Sequence, residues 1–483
     1  MEVKILGSDP RRPLDLLLVN SPLKDYGREP RLNDFTLPVI GLGYIATVAR
    51  AEGHNVGVLD AESQGLGVRE VADAINRLSP RWAGLNLLAP TYKLAREIVR
   101  RLKVDIQILL GGHQAKAMPD SILSDPSWPR IDALVLGEAE HKVTKLLQNP
   151  FAREKMAGVG WRVGPSMPSL NPAVSNDPLV PRILDDLPFV NREFFFQDPY
   201  RSPEGRIEAN LVASRGCPYD CTFCGAAISA NRDVGIRTRT PGNIVDEMEQ
   251  LRTKYSCNAF RFVDDLFLAN ISFIKGCLKH FIDRKVNESA VWDATGRINV
   301  LSQAGDDVYQ LIAQSGCREV ALGIESGSNR VLELMDKRIT SEMSERVISR
   351  LIDHGICVKG YFIFGYPSES RAELSASMDL IKRLWRLGDG RGSRFRCSAF
   401  EFRPYPGTPV WNQLIDSGKY SAEELLDYQH VDLTEGGTSA ALADRDEFNF
   451  TVNKQFGEAT LDEIRSAIRS IMLEQKKRIA SAA

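Results

Sequence analysis

A chain of 483 residues, 43% hydrophobic and 26% charged, carries enough apolar material for two or three separate cores. Its formal net charge of -2 excludes bulk attraction to nucleic acid or to an anionic membrane. No apolar run approaches the roughly 20 residues that span a bilayer, and the polar stretch from Met1 to Pro13 lacks the apolar centre of a signal peptide, so a cytoplasmic protein is expected.

Along the chain, residues 16–19 form a short apolar run ending at Asn20-Ser21-Pro22, which reads as a buried strand and a loop. Residues 41–52 have helical apolar spacing, stopped by Gly53-His54. Strands follow at 56–59, 82–88, 106–110 and 133–136, with helices at 71–78 and 92–102 between them. This alternation over residues 1–150 predicts a Rossmann-like, doubly wound parallel sheet, whose ligands sit beyond the carboxyl ends of the strands. No G-x-G-x-x-G follows the first strand, so nicotinamide and flavin cofactors lack support. Residues 151–205, rich in Pro, Gly and Asn, read as a connecting segment. A second α/β alternation fills 206–412, with strands near 211–213, 259–263, 291–293, 320–323, 358–364 and 398–402. Six such units make a partial (β/α)6 barrel rather than a closed one of eight. Residues 413–483 form an extension, acidic and irregular up to a helix at 461–479.

The cysteines are unevenly spread. Cys257, Cys277, Cys317, Cys357 and Cys397 stand singly and read as small hydrophobic residues. Cys217, Cys221 and Cys224 crowd into Ser214-Arg-Gly-Cys217-Pro-Tyr-Asp-Cys221-Thr-Phe-Cys224-Gly225, directly after the first strand of the second domain. Three thiolates on one bent loop can hold three corners of a cubane [4Fe–4S] cluster and leave one iron open, whereas a full protein set has four cysteines. A zinc site needs a fourth ligand, and the nearest histidine in sequence is the distant His280. A redox disulfide would use only two of the three.

This C-x3-C-x2-C loop resembles that of the radical S-adenosylmethionine (SAM) superfamily, and the likeness extends over most of residues 210–409. Phe223 matches the aromatic loop position beside the SAM adenine, Gly225 closes the loop as a further cofactor-binding candidate, and Asp264-Asp265 matches a second-strand motif that meets the SAM ammonium. Arg297 matches a partner for the SAM carboxylate. Glu325-Ser326 closes a fourth-strand pattern near the methionine and ribose, and Phe364-Gly365 belongs to a fifth-strand pattern beside the adenine. Each feature alone has a plain reading: a helix cap for the aspartates, a surface ion pair for Arg297. Tyr219, on the cluster loop, is the candidate to reach substrate, with Glu401, Arg403 and Tyr405 as further polar candidates.

Residues 15–145 resemble the domain of the cobalamin-binding branch, through Gly41-Leu-Gly43-Tyr44, Ala89-Pro90-Thr91-Tyr92 and Leu110-Gly111-Gly112. That resemblance implies cobalamin as a third cofactor, with Thr91, Gly111 and Gly112 near its nucleotide tail. The D-x-H-x-x-G of a lower cobalt ligand is missing, and Gly111-Gly112-His113-Gln114-Ala115-Lys116 departs from the branch pattern.

Three functions follow from these resemblances. The first is cobalamin-dependent C-methylation at an unactivated carbon of a small natural product, as in antibiotic biosynthesis. The second is cobalamin-independent dehydration, as in aminoglycoside-pathway diol dehydratases, or epimerisation of a sugar or aminoglycoside. The third is an iron–sulfur electron carrier or sensor without SAM turnover. For the enzyme readings the expected electron donor is a flavodoxin or ferredoxin.

Overall fold

The computed structural model describes residues 3–29, 38–163, 167–202, 205–226, 234–391, 394–430 and 450–482. The chain divides into two compact units, one of Met1–Asp198, Cys224–Arg237 and Tyr405–Tyr428, the other of Pro199–Phe223, Thr238–Pro404 and Gln429–Ala483.

In the first unit, β1 (Leu16–Asn20), β2 (Val56–Asp60), β3 (Trp82–Asn86), β4 (Gln107–Gly111) and β5 (Ala133–Val135) run parallel in the order β2-β1-β3-β4-β5. Every residue of β1, β2 and β3 is buried, as expected of parallel strands covered on both faces. The order reverses between β1 and β3, which is where doubly wound sheets bind ligands. Two antiparallel strands, β6 (Val159–Val163) and β7 (Met167–Leu170), extend the sheet past β5. They occupy part of the stretch read from sequence as a connection. Residues 190–195 of that stretch pack on the helix Ile40–Ala51. A Cβ at Gly43 would stand 2.2 Å from the Phe195 ring, and Asn191 N donates to Thr47 Oγ1 at 3.0 Å.

The second unit holds a sheet of order β16-β15-β14-β13-β12-β9-β8. Its six parallel strands are β9 (Ile207–Leu211), β12 (Ala259–Phe262), β13 (Val291–Gly296), β14 (Cys317–Glu325), β15 (Cys357–Phe364) and β16 (Phe395–Glu401); β8 (Tyr200–Arg201) is a two-residue antiparallel edge. Four short strands, β10 (Ser214–Arg215), β11 (Arg237–Thr238), β17 (Gln429–His430) and β18 (Phe450–Thr451), lie outside both large sheets among the described residues. The six parallel strands agree with the expected partial barrel. Phe262, Phe267, Phe281 and Trp292 interlock beneath it, with Phe262 and Phe267 stacked at 4.3 Å. Arg261–Asp293 and Arg318–Asp293 pairs join neighbouring strands near their starts and Arg396–Glu319 reaches across β15, so charges facing the sheet are matched.

The helix Leu461–Ala482 covers β16. Ile464, Ile468 and Ile471 recur at helical spacing and are buried, and Gln475 Oε1 accepts from Cys397 N at 2.6 Å. Of the single cysteines, Cys257, Cys277 and Cys397 are buried and Cys317 and Cys357 half-buried, and none of these five is in a disulfide.

Candidate cofactor site

The cluster loop is held at its root, its middle and its side. At the root, Asp264 follows β12 and turns its carboxylate to the end of β9. It accepts from Ala213 N at 3.1 Å, from Ser214 N, and from Ser214 Oγ at 2.6 Å. Burial pushes the Asp264 carboxyl up to about 6, against the pull of these hydrogen bonds. Gly216 then takes a left-handed φ of 95°, which starts the bend. At the middle, Thr222 N donates to Met335 O at 3.1 Å and Thr222 Oγ1 to Leu334 O at 2.9 Å. The same Oγ1 lies 2.9 Å from the Tyr366 hydroxyl.

Cys221 is buried, Cys217 and Cys224 are half-buried, and none of the three is in a disulfide. Burial raises the Cys217 thiol while Arg297 pulls the other way. Among the described residues, no three His, Cys, Asp or Glu side chains close around a single metal-ion position. Three reduced sulfurs on one loop, one of them buried beside a cation, are the donor set that a cubane with an open iron requires.

Arg297, the residue after β13, holds the side of the loop. Its Nη1 donates to Cys221 Sγ at 3.4 Å, its Nη2 to Lys337 O at 2.7 Å and its Nε to Asn299 Oδ1 at 3.0 Å. Its guanidinium lies 3.5 Å from the centre of the Tyr219 ring, and Asn299 Nδ2 donates to the Tyr219 hydroxyl at 3.2 Å. Glu325 ends β14 at a register shift with φ of 66°, and it pairs with buried Lys337 at 2.5 Å. Lys337 Nζ also stands 5.7 Å from the centre of the Phe223 ring. A Cβ at Gly323 would meet Glu325 Oε1 at 2.2 Å and Lys337 Nζ at 2.5 Å, so glycine makes the space for the pair.

The structure therefore brings Tyr219, Cys221, Phe223, Arg297 and Glu325 into one connected set. Other expected residues have different surroundings. Ser326 is buried with its hydroxyl 3.3 Å from that of Ser377, Asp265 is exposed, and Gly225 packs against Tyr405. Glu401 is tied to Arg465 at 3.1 Å and to Thr451. Phe364 is buried, and Gly365, at φ of 78°, donates its N–H to Glu369 at 2.6 Å. Burial pushes Glu369 up to about 7, and its Oε1 has no partner among the described residues.

Sequence reasoning missed Lys337, Thr222 and Tyr366. Lys337 lies in a charged loop, Asp336-Lys337-Arg338, which reads as solvated surface. Tyr366 was signalled by its place inside the fifth-strand motif.

In the first unit, the expected cofactor residues shape the carboxyl ends of β3 and β4. Gly112, at φ of 101°, would place a Cβ 2.7 Å from Leu87 O, whereas a Cβ at Gly111 would meet only Val135 O, at 3.7 Å. Leu87 N donates to Gly111 O at 2.6 Å. Thr91 closes its own turn, its Oγ1 accepting from Leu88 N at 3.0 Å. The end of β4, bare of side chains at Gly111 and Gly112 and one strand from the reversal between β1 and β3, suits a broad ligand approached by backbone.

Residues 211–381 match the Radical SAM superfamily and residues 34–147 the B12 binding domain. An uncharacterized methyltransferase of Pyrococcus horikoshii is 27% identical over 430 residues, covering 87% of each chain. Cytidylyl-2-hydroxyethylphosphonate methyltransferase of Streptomyces wedmorensis is 26% identical, covering 80% of this chain and 79% of that one. The fold is shared with the radical SAM methyltransferase TsrM of Kitasatospora setae, solved with cobalamin and a [4Fe-4S] cluster bound. The TM-score is 0.62 at 18% identity, over 86% of this chain and 77% of that one. The chain therefore carries a B12-binding domain followed by a radical SAM domain.

Proposed function

We propose that this protein is a cobalamin-dependent radical SAM methyltransferase that adds a methyl group to an unactivated carbon of a small molecule. The observation that carries this reading is the co-occurrence of both domains in one chain, two of whose relatives, aligned over four fifths or more of it, are named methyltransferases. When bound, the [4Fe–4S] cluster supplies the electron that cleaves SAM, and cobalamin carries the methyl group.

Cys217, Cys221 and Cys224 would each hold one iron, leaving the fourth to the amino and carboxylate groups of SAM. Arg297 has five N–H donors and commits three of them within the protein, so two remain for the SAM carboxylate. Phe223 and the Phe364–Gly365 turn would flank the adenine, and Glu325 with Ser326 would meet the methionine and ribose. Asp264 keeps the loop root in place. Thr91, Gly111 and Gly112 would shape the seat of the cobalamin tail. Tyr219, held by Asn299, is the loop residue proposed to meet substrate. The narrower substrate class is a natural product such as a sugar or aminoglycoside, and the electron donor a flavodoxin or ferredoxin.

The test is anaerobic reconstitution with iron, sulfide and hydroxocobalamin, followed by metal analysis and turnover with SAM. About four irons per chain, bound cobalt, and S-adenosylhomocysteine formed alongside 5′-deoxyadenosine are expected. Irons without cobalt, and 5′-deoxyadenosine without S-adenosylhomocysteine, would sink the methyl-transfer reading and favour dehydration or epimerisation.

A further inference from the structure

We infer that Arg297 sets the reduction potential of the iron–sulfur cluster through its N–H bond to Cys221 Sγ; this rests on the reading that the loop carries a cluster. Potentials of such clusters respond to hydrogen bonds on the ligand sulfurs, to nearby charge and to solvent exposure. Arg297 supplies all three influences. It donates Nη1–H to Cys221 Sγ at 3.4 Å, it is a permanent cation, and both residues are buried. On one-electron reduction by an external low-potential donor, the cluster gains negative charge and no bond or proton changes hands. A buried cation bonded to a ligand sulfur favours that more negative state, with little screening by solvent.

The guanidinium is fixed from every side. Lys337 O receives Nη2–H, Asn299 Oδ1 receives Nε–H, and the Tyr219 ring lies beneath at 3.5 Å. The carbonyl that anchors it belongs to an unusual loop. Asp336 and Arg338, on either side of Lys337, have φ of 46° and 56°, and Glu325, the ion-pair partner of Lys337, has φ of 66°. Left-handed backbone is costly for a residue with a side chain. It persists where the surroundings over-determine it, most often at functional sites. Here two such residues flank Lys337 and a third pairs with its side chain, fixing the residue whose carbonyl is one of the anchors of Arg297. Arg297 is thus a positioning and tuning residue for electron transfer, beyond any contact with SAM.

The experiment is a redox titration of the full, anaerobically reconstituted chain without SAM, followed by electron paramagnetic resonance. Arg297→Gln is expected to lower the midpoint by about 59 mV, a tenfold loss in the one-electron reduction equilibrium. Arg297→Lys, which keeps the cation and loses the fork, should fall by less, and the surface variant Arg284→Gln should match wild type. An unchanged midpoint in Arg297→Gln at full iron content overturns the inference. If Arg297→Gln takes up no iron, Arg297→Lys decides, and an unchanged midpoint there overturns it as well. Loss of iron from both variants with native circular dichroism assigns Arg297 to cluster assembly instead, which also overturns it. Wild-type protein that takes up no cluster would instead refute the cluster reading itself.

Discussion

The two α/β sheets end differently at their carboxyl edges. In the first unit the polar groups there satisfy one another: Asn20 donates to Asp60 at 2.8 Å, Asn86 to Asn20 at 3.2 Å, and Ser63 to Asp60 at 2.5 Å. Relaxed glycines supply its left-handed turns, at Gly112 and Gly137. In the second unit the edge carries a buried ion pair, a guanidinium on a sulfur, and left-handed backbone at Glu325, Asp336, Arg338 and Ser368. One edge is built to accept a ligand by shape, the other to act on one by charge. Strain and buried charge accumulate where charge has to be placed.

The sharpest way to break this contrast is at the loop cysteines. Cys217→Ala, Cys221→Ala or Cys224→Ala should each bring SAM cleavage to background with loss of cluster absorbance; retained 5′-deoxyadenosine formation in all three would remove the loop from the chemistry. Next is Glu325→Gln, which leaves Lys337 buried without its anion and should cost about 3–5 kcal/mol in denaturant unfolding. Most of that loss should return in Glu325→Gln with Lys337→Met, and a double variant no more stable than the single one would show that the pair is not coupled.

A third test uses pH. Burial raises Glu369 from its ordinary 4.5 to about 7, so the folded state keeps a proton that the unfolded chain has released. Stability should therefore fall as pH rises from 4.5 to 7, by about 3 kcal/mol at most. Glu369→Gln should remove that slope, and parallel profiles for the two proteins would contradict it.

The smallest expected effects sharpen the comparison most, because they use one substitution at both edges. Gly112→Ala pushes a Cβ onto the Leu87 backbone, where nothing can yield, and should cost about 1–3 kcal/mol in thermal unfolding. Gly323→Ala meets only the flexible tips of Glu325 and Lys337. It should weaken SAM binding while the melting temperature stays nearly constant. The reverse pattern would mean that the roles of the two edges are exchanged.

Much of this was legible in the sequence because buried parallel strands are continuous apolar runs, and β1 through β5 each announced themselves. The cluster loop was equally plain, since three cysteines in eight residues have few uses. The hairpin of β6 and β7 was hidden by the surrounding Pro and Gly, although Val159, Trp161 and Val163 alternate with period two. Lys337 was invisible for a deeper reason: a lysine between an aspartate and an arginine looks like solvated surface, and only the tertiary fold turns it inward. The part played by Asp264 shifts in the same way. The motif led to SAM, while its carboxylate in the fold grips Ala213 and Ser214.

An open barrel has two edges, and both are blunted here. One ends in the two-residue β8, and the other, β16, lies under the helix Leu461–Ala482 with its Cys397 N–H already given to Gln475. A two-residue strand and a helix-covered strand are the means by which sheet edges are kept from pairing with a second chain. The consequence is practical. The redox titrations proposed above need concentrated protein, and this shielding should keep the open sheet dispersed during them.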